Sequence, residues 1–366
     1  MATLADASLS FTRVPHPAPA SAEVRAQVLA NPGFGTKFSD HMVSIEWSED
    51  KGWHKAEILP YGPIALDPAA SVLHYAQEIF EGLKAYRLAD GGIALFRPHA
   101  NAARFNASAR RLAMPEIPEE LFVEAVRQLV LTDNEWFPTV EGGSLYLRPF
   151  MFATEAFLGV RPAKSYRFLV IASPAGNYFK SGSPAVSIWV SDYTRAAPGG
   201  TGAAKCGGNY AASLVPTAEA FARGHDQVLF LDAAQHMWVE ELGGMNLFFV
   251  HADGSLITPA LTGTILPGIT RESLIMLARE EGLTVKEGRY SLDQWREDAA
   301  SGQLLETFAC GTAAVVTPVG KVADHNGEFV IGTGGPGQLT QKLRQRLVAI
   351  QRGDEADTHG WVTRIA

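Results

Sequence analysis

The sequence predicts a mixed α/β (α+β) protein of two domains, and three observations carry that expectation. The chain has 366 residues, and at roughly 150 residues per domain this length favours two domains or one large one. Short apolar runs rich in Val, Ile, Phe and Trp alternate with stretches of helical periodicity. Near the middle, Pro174-Ala-Gly-Asn-Tyr-Phe-Lys-Ser-Gly-Ser-Pro184 concentrates turn-forming residues between two strand-like runs and marks a linker. The expected division is a smaller N-terminal α/β domain over 1–173, a linker over 174–184 and a larger C-terminal domain over 185–366.

Strands are expected at Met42 to Trp47, Ile93 to Phe96, Ser144 to Thr154, Arg167 to Ser173, Ala185 to Tyr193, Gln227 to Asp232 and Asn246 to Val250. Proline suits a first helical turn, so Pro98 opens a helix that runs through Arg104 to about Leu112, and Pro115 helps to end it. A second helix spans about Glu119 to Leu131. Thr270 is placed to cap a third, whose Leu274, Leu277 and Ala278 repeat at helical spacing until Gly282 stops it. Leu339 to Ile350 reads as a terminal helix.

Composition narrows the class. Apolar residues make up 46% and charged residues 19%, which excludes disordered, collagen-like and disulfide-scaffold chains. The net charge is −8, and no basic stripe points to nucleic acid or an anionic membrane. Two cysteines, Cys206 and Cys310, cannot build a disulfide framework, so a reducing, cytoplasmic setting is expected. Met1 to Val24 lacks the basic and apolar regions of a secretory signal and reads as a loosely held leader. No apolar run approaches the ~20 residues that a membrane span needs.

Several familiar motifs fail on inspection. The ten histidines are scattered and no Cys-x-x-Cys occurs, so no metal site is expected. Gly332-x-Gly334-x-x-Gly337 superficially matches a dinucleotide fingerprint. Pro336 lies inside it, however, and only 29 residues follow it, too few for a mononucleotide fold. Gly199-Gly-Thr-Gly202 precedes Lys205, but Ala204 and Cys206 stand where a phosphate-binding P-loop needs Gly and Ser or Thr. No Gly-x-Ser-x-Gly elbow is present.

Lys205 nevertheless stands out, one of ten lysines against 21 arginines, within Thr201-Gly-Ala-Ala-Lys205-Cys-Gly-Gly-Asn-Tyr210. A lysine that forms a Schiff base needs a partly desolvated amine and backbone thin enough for a flat ring to lie close, and small neighbours supply both. Tyr210 could donate to a phenolic oxygen of such a ring. By composition alone the stretch reads first as a glycine-rich loop with one exposed lysine. Glu240 and Glu241 lie in an apolar strand-turn, where a buried carboxylate could stabilise a protonated pyridine nitrogen, or where one or both could face solvent. The loop Ile265 to Thr270 runs into a helix whose free N–H groups suit a phosphate.

Taken together, these stretches resemble the branched-chain amino acid aminotransferases, two-domain pyridoxal phosphate enzymes of fold type IV. The resemblance runs from about Phe34 to Gln351. It rests on His74-Tyr-Ala-Gln-Glu-Ile-Phe-Glu-Gly-Leu-Lys84, Leu145-Tyr-Leu-Arg-Pro149, the Gly199 to Tyr210 stretch, Glu241-Leu-Gly-Gly-Met-Asn246, Leu266-Pro-Gly-Ile-Thr270 and Cys310-Gly-Thr-Ala313. It implies pyridoxal 5'-phosphate as cofactor, with Lys205 as its Schiff-base partner and general base. Glu241 would meet the pyridine nitrogen and Tyr210 the phenolic oxygen. Arg104, the N–H groups of Ile269 and Thr270, and the Thr312 hydroxyl would hold the phosphate.

For the substrate, the resemblance implies Tyr146, Arg148 and the Ala313 N–H at the carboxylate, and Phe34, Tyr75 and Phe80 around the apolar side chain. Val160 would come from a loop of a partner in a homodimer with shared active sites. The implied reaction moves an amino group between leucine, isoleucine or valine and 2-oxoglutarate, giving glutamate. Glutamate's second carboxylate would need a donor at the pocket rim, for which Arg195 and Tyr75 are candidates. Mammalian members carry a Cys-x-x-Cys pair where this chain has Ala314 and Thr317, so redox control of that kind is not expected. A D-amino acid aminotransferase or an aminodeoxychorismate lyase on the same fold stays open as an alternative.

Overall fold

The computed structural model describes residues 9–140, 142–176 and 185–366. The chain divides into two compact units, Met1–Tyr178 with Thr358–Ala366, and Phe179–Asp357. Residues 177–184 of the expected linker lie outside the described residues. Among the described residues each unit is built on a nine-stranded sheet.

In the first unit the strand order is Thr12–Arg13, Gly52–Pro60, His41–Ser48, Ser165–Ala175, Ser144–Ala153, Leu83–Arg87, Ile93–Phe96 and Val362–Arg364. Glu78–Phe80 pairs separately with Ser144–Ala153. The longest ladder is antiparallel and runs from Ser144 opposite Ala175 to Ala153 opposite Tyr166. Helices Pro98–Arg111 and Glu119–Thr132 cover one face. The second turns Phe122, Val126 and Leu129 inward at the spacing of one helical face. Phe122 meets Phe105 and Phe168 with ring centroids 5.4 and 5.7 Å apart. Successive strand residues point to opposite faces, so the buried Leu145 and Leu147 put Tyr146 and Arg148 together on the half-buried face.

Two expectations are corrected at the chain ends. Residues 9–24 are not a loose leader throughout: Thr12–Arg13 pairs in parallel with Gly52–Pro60, and Ala20 N–H donates to Asp40 at 2.9 Å. The last residues do not belong with the C-terminal half. Val362–Arg364 pairs with Ile93–Phe96, and Trp361 packs edge-on against Phe96. An edge strand with open N–H and C=O groups gains a ladder and buries a tryptophan in this way, which favours the return of the tail to the first unit.

In the second unit the order is Val239–Leu242, Gln227–Leu231, Val186–Val190, Val315–Asp324, Leu304–Gly311, Asn246–His251, Ser255–Pro259 and Thr284–Gly288. Gly327–Val330 pairs with Val315–Asp324. Leu247, Phe249, Trp295, Ala309 and Val322 form its core. Val315–Asp324 escapes sequence reading because Pro318 and Gly320 argue against a central strand. The ladder accommodates them by a register shift between Val319 and Lys321. A Cβ at Gly320 would lie 2.3 Å from the Gly334 carbonyl oxygen. Thr270 is not the helix cap expected of it. The cap of Ile269–Glu280 is Gly268, and Thr270 falls in the first turn.

At the glycines from 332 to 337 the helix end that a dinucleotide fingerprint would offer to a phosphate is filled from within the chain. Gly337 caps helix Gln338–Arg352, but the helix end is already occupied by the Glu306 carboxylate. That carboxylate accepts from Leu339 N–H at 3.0 Å, Thr340 N–H at 2.8 Å and the Thr340 hydroxyl at 2.7 Å. An internal anion thus satisfies the helix dipole and its open donors. A Cβ at Gly337 would stand 1.8 Å from the Glu306 carboxyl carbon, so Gly337→Ala must displace it. The expected loss is about 1–2 kcal/mol in urea unfolding, the scale of a lost helix cap. On a Glu306→Ala background the same substitution should cost much less, and equal losses on both backgrounds would disprove the capping role.

Candidate active site

The second unit builds the lysine loop from its backbone outward. Asn209, in the short helix Gly207–Ala211, reaches back and donates to the carbonyls of Thr201 at 2.7 Å and Ala204 at 2.8 Å. The Thr201 hydroxyl donates to its Oδ1 at 2.7 Å. One buried amide therefore fixes the arc that precedes Lys205. Gly202 is required for a different reason than ligand access, because a Cβ there would lie 2.4 Å from the Thr264 carbonyl oxygen. Half-buried Lys205 extends from this arc, and its Nζ donates to the Tyr210 hydroxyl at 2.9 Å. Gly208 has open space where a side chain would be. Both cysteines are buried, and burial pushes the Cys310 thiol up.

Glu240 and Glu241 sit in strand Val239–Leu242, all four of whose residues are buried. The solvent-facing alternative is thereby excluded for both. Alternation turns them to different partners. Glu240 Oε1 accepts from the Thr264 hydroxyl, and burial raises its pKa. Glu241 Oε1 pairs with Arg195 Nη1 at 2.7 Å and accepts from Leu266 N–H at 3.1 Å. Among the described residues its Oε2 has one long contact, from Asn246 Nδ2 at 3.5 Å. Burial pushes the Glu241 carboxyl up to about 7, against the opposing pull of Arg195.

Arg195 does not stand at the pocket rim expected of it, and this is a correction. It is 6% exposed, and the nitrogen that pairs with Glu241 also donates to the Thr264 carbonyl at 3.1 Å. A guanidinium so committed cannot serve an exposed carboxylate. Tyr75, the other rim candidate, donates its hydroxyl to the Leu158 carbonyl of its own chain at 2.8 Å.

Ile269 and Thr270 open helix Ile269–Glu280, in the turn whose N–H groups have no intrahelical acceptor. A Cβ at the preceding Gly268 would meet Asn246 Oδ1 at 2.1 Å. Asn246 Nδ2 also donates to the Leu266 carbonyl at 3.1 Å, so this one amide joins the helix entry to Glu241. Thr312 and Ala313 lie in the turn between Leu304–Gly311 and Val315–Asp324. Val315 closes that turn at φ +62°, a conformation that costs a β-branched residue about 1–3 kcal/mol and is typical of functional loops.

In the first unit Arg104 is held by a residue the sequence reading missed. Its Nε and Nη2 each reach a separate oxygen of Glu81 at 2.8 Å, a buried fork-to-fork pair. Tyr146, Arg148, Phe34 and Phe80 gather on one sheet face. Arg148 Nη2 donates to the Tyr146 hydroxyl at 3.3 Å, and its guanidinium stacks 4.9 Å from the Phe80 ring centre. Phe34 meets Tyr146 edge-on at 4.9 Å. Buried Arg148 Nε has no hydrogen-bond partner among the described residues. Tyr75 stands apart with the 157–160 loop, where Val160 is 87% exposed.

Sequence reasoning singled out Lys205, Tyr210, Glu241 and Arg104 and missed the side chains that hold them in place, namely Glu81, Asn209 and Asn246, along with the burial of Arg195 against Glu241. Asn209, Asn246 and Glu81 all lay inside quoted motifs, Glu81 between Phe80 and Gly82 in the link between strands Glu78–Phe80 and Leu83–Arg87. A polar side chain in such a setting must find an internal partner. No cluster of metal-binding side chains occurs among the described residues, and none of their helices is long and apolar enough to cross a membrane.

Comparison with known proteins places this geometry. Residues 78–322 match the amino-transferase class IV family. The branched-chain-amino-acid aminotransferase of Mycolicibacterium smegmatis is 58% identical over 362 residues, 98% of each chain. Among solved structures, the Escherichia coli branched-chain amino acid aminotransferase is 30% identical with a TM-score of 0.74, covering 88% of this chain and 100% of the other. The branched-chain amino acid aminotransferase of Thermobaculum terrenum, solved in its PLP holo-form, is 25% identical with a TM-score of 0.72, covering 90% and 100%. On these grounds the chain belongs to the class IV aminotransferases, in the branched-chain amino acid aminotransferase family with its two-sheet, fold type IV architecture.

Proposed function

We propose that this protein reversibly transfers the amino group between L-leucine, L-isoleucine or L-valine and 2-oxoglutarate, using pyridoxal 5'-phosphate bound through Lys205, as a cytoplasmic homodimer. The observation that carries this reading is the Lys205 amine, held 2.9 Å from the Tyr210 hydroxyl in a loop locked by Asn209. The donor set suits such a cofactor. A partly shielded primary amine, a phenol, a buried carboxylate and a helix entry all fall within one unit. The thinly satisfied Oε2 of Glu241 supports its pairing with a protonated ring nitrogen. When bound, the cofactor supplies an electron sink for the carbanion left at the substrate α-carbon.

The chain's own residues would do the rest. Lys205 Nζ would hold the cofactor at rest by condensing with its carbonyl group, the oxygen leaving as water. Once displaced by the substrate amine, it would move the proton from the substrate α-carbon. Tyr210 would hold the phenolic oxygen. Ile269 and Thr270 N–H, the Thr312 hydroxyl and Arg104 would bind the phosphate, with Glu81 fixing the arginine fork. Tyr146, Arg148 and the Ala313 N–H would orient the substrate carboxylate, and the orphan Arg148 Nε supports a ligand at that face. Phe34, Phe80 and Tyr75 would wall an apolar pocket, completed by Val160 of a second copy.

Lys205→Ala should abolish transamination and leave the fold intact, since it removes an amine from a loop rather than a core side chain. Proton transfer alone is worth on the order of 10²- to 10⁴-fold. Borohydride reduction followed by peptide mapping should place the cofactor on Lys205, and attachment to another lysine would disprove the assignment.

An apolar pocket separates substrates that differ by one methylene by only ~1–3 kcal/mol. Leucine, isoleucine and valine should therefore react within roughly two orders of magnitude of one another, with alanine and aspartate poorer. A donor panel with 2-oxoglutarate checks this, and D-alanine as the best donor would favour the alternative enzyme on the same fold.

The single chain leaves Leu158 75% and Val160 87% exposed, an apolar tip that a second copy would cover. Sedimentation at assay concentration should give a dimer whose dissociation lowers kcat. A fully active monomer is the contrary result.

A further inference from the structure

We infer that Arg195 is a positioning residue whose function is to keep the buried Glu241 carboxylate ionised and aimed, so that Glu241 can hold a proton on a cofactor ring. The inference rests on the functional reading above and adds to it the group that makes the carboxylate usable. Its basis is geometric. Arg195 is 6% exposed and Glu241 is 2% exposed, and their contact is 2.7 Å. Arg195 is itself fixed by backbone, with Nη1 directed to the carbonyls of Thr264 at 3.1 Å and Gly202 at 3.5 Å. The pairing engages Oε1 and leaves Oε2 with a single contact among the described residues, at 3.5 Å. The guanidinium therefore satisfies the carboxylate from one side and leaves its other oxygen available.

The surrounding charges explain why a cation is needed at that point. Glu241 feels the charge of Glu240, its neighbour on the strand, which opposes its ionisation, and that of Lys205, which favours it. Asp232 disfavours ionisation of Glu240 in turn. Burial opposes ionisation of both glutamates. Arg195 is the strongest influence favouring the ionised form of Glu241. Without it, two neighbouring buried carboxyls would share no close guanidinium, and burial would push the Glu241 carboxyl further toward its neutral form. A neutral carboxyl cannot stabilise a protonated pyridine nitrogen. Arg195 would touch neither substrate nor cofactor, so its effect should pass entirely through Glu241.

The test is a double-mutant cycle on the full chain loaded with pyridoxal phosphate, comparing wild type, Arg195→Gln, Glu241→Gln and the double variant, with Arg195→Lys as the conservative control. The readouts are kcat against pH, cofactor dissociation constant, and thermal midpoint. Arg195→Gln should lower kcat tenfold or more near neutral pH and weaken cofactor retention. Its acid limb should move to higher pH, because a carboxyl that has lost its cation ionises later. Arg195→Lys should recover most of the activity. Adding Arg195→Gln to Glu241→Gln should cost less than a further twofold, since nothing remains to be positioned.

Multiplicative losses in the double variant would overturn the inference, as would an Arg195→Gln profile that keeps its acid limb. If Arg195→Gln alone fails to fold, the double variant leaves neither charge unpaired and decides the matter against Glu241→Gln by the same criterion. If reduction fixes the cofactor away from Lys205, the functional reading has failed. The Arg195 and Glu241 coupling is then visible in the thermal midpoints alone, and the proposed action on the cofactor falls with it.

Discussion

Glu241 is a carboxylate in a strand with no exposed residue, and the second unit is arranged around satisfying it. Burying a carboxylate without partners is costly, and in proteins such a group shifts its pKa or acquires a counter-ion. Here it does both. Burial lifts the carboxyl to about 7 while Arg195 pulls the other way. Arg195 in turn must be held, and the Thr264 and Gly202 carbonyls do this. That requires the chain near 202 to lie against Thr264, which excludes any Cβ at Gly202. The small residues before Lys205 thus follow in part from the need to bring Arg195 to Glu241.

The same constraint reaches the helix at Ile269. Leu266 N–H donates to Glu241, and Asn246 bonds both the carboxylate and the Leu266 carbonyl. The loop that delivers Gly268 to the helix entry is therefore fastened to the carboxylate at two points. Gly268 lacks a side chain because Asn246 occupies that space. Breaking one partner of a buried pair costs more than the pair contributes, so these contacts are mutually dependent and their substitutions should not add.

Much of this was legible in the sequence, and the reason varies by element. Helices Pro98–Arg111 and Glu119–Thr132 were readable because proline and apolar period act locally. Lys205, Tyr210 and Glu241 could be singled out because their residue types suit the proposed chemistry. The Arg195 pairing was not, since nothing within a few residues of 195 reveals a partner as distant in the chain as Glu241. The strand Val315–Asp324 was missed because its Pro318 and Gly320 are tolerated only by a tertiary register shift. The return of Val362–Arg364 to Ile93–Phe96 was likewise a long-range pairing, invisible to local pattern.

A buried arginine and glutamate pair occurs in each unit, and the difference between the two pairs is informative. Glu81 gives both oxygens to Arg104, and each contact is 2.8 Å. The carboxylate is spent on fixing the guanidinium plane, so the useful group is the arginine. Glu241 gives one oxygen to Arg195, and that arginine is bound on to backbone carbonyls. There the cation is spent and the useful group is the carboxylate. Arg104 is thus a guanidinium fixed in plane by a bidentate carboxylate, and Glu241 a carboxylate held through one oxygen. That polarity is what the proposed roles would require, an anionic phosphate at Arg104 and a protonated ring nitrogen at Glu241.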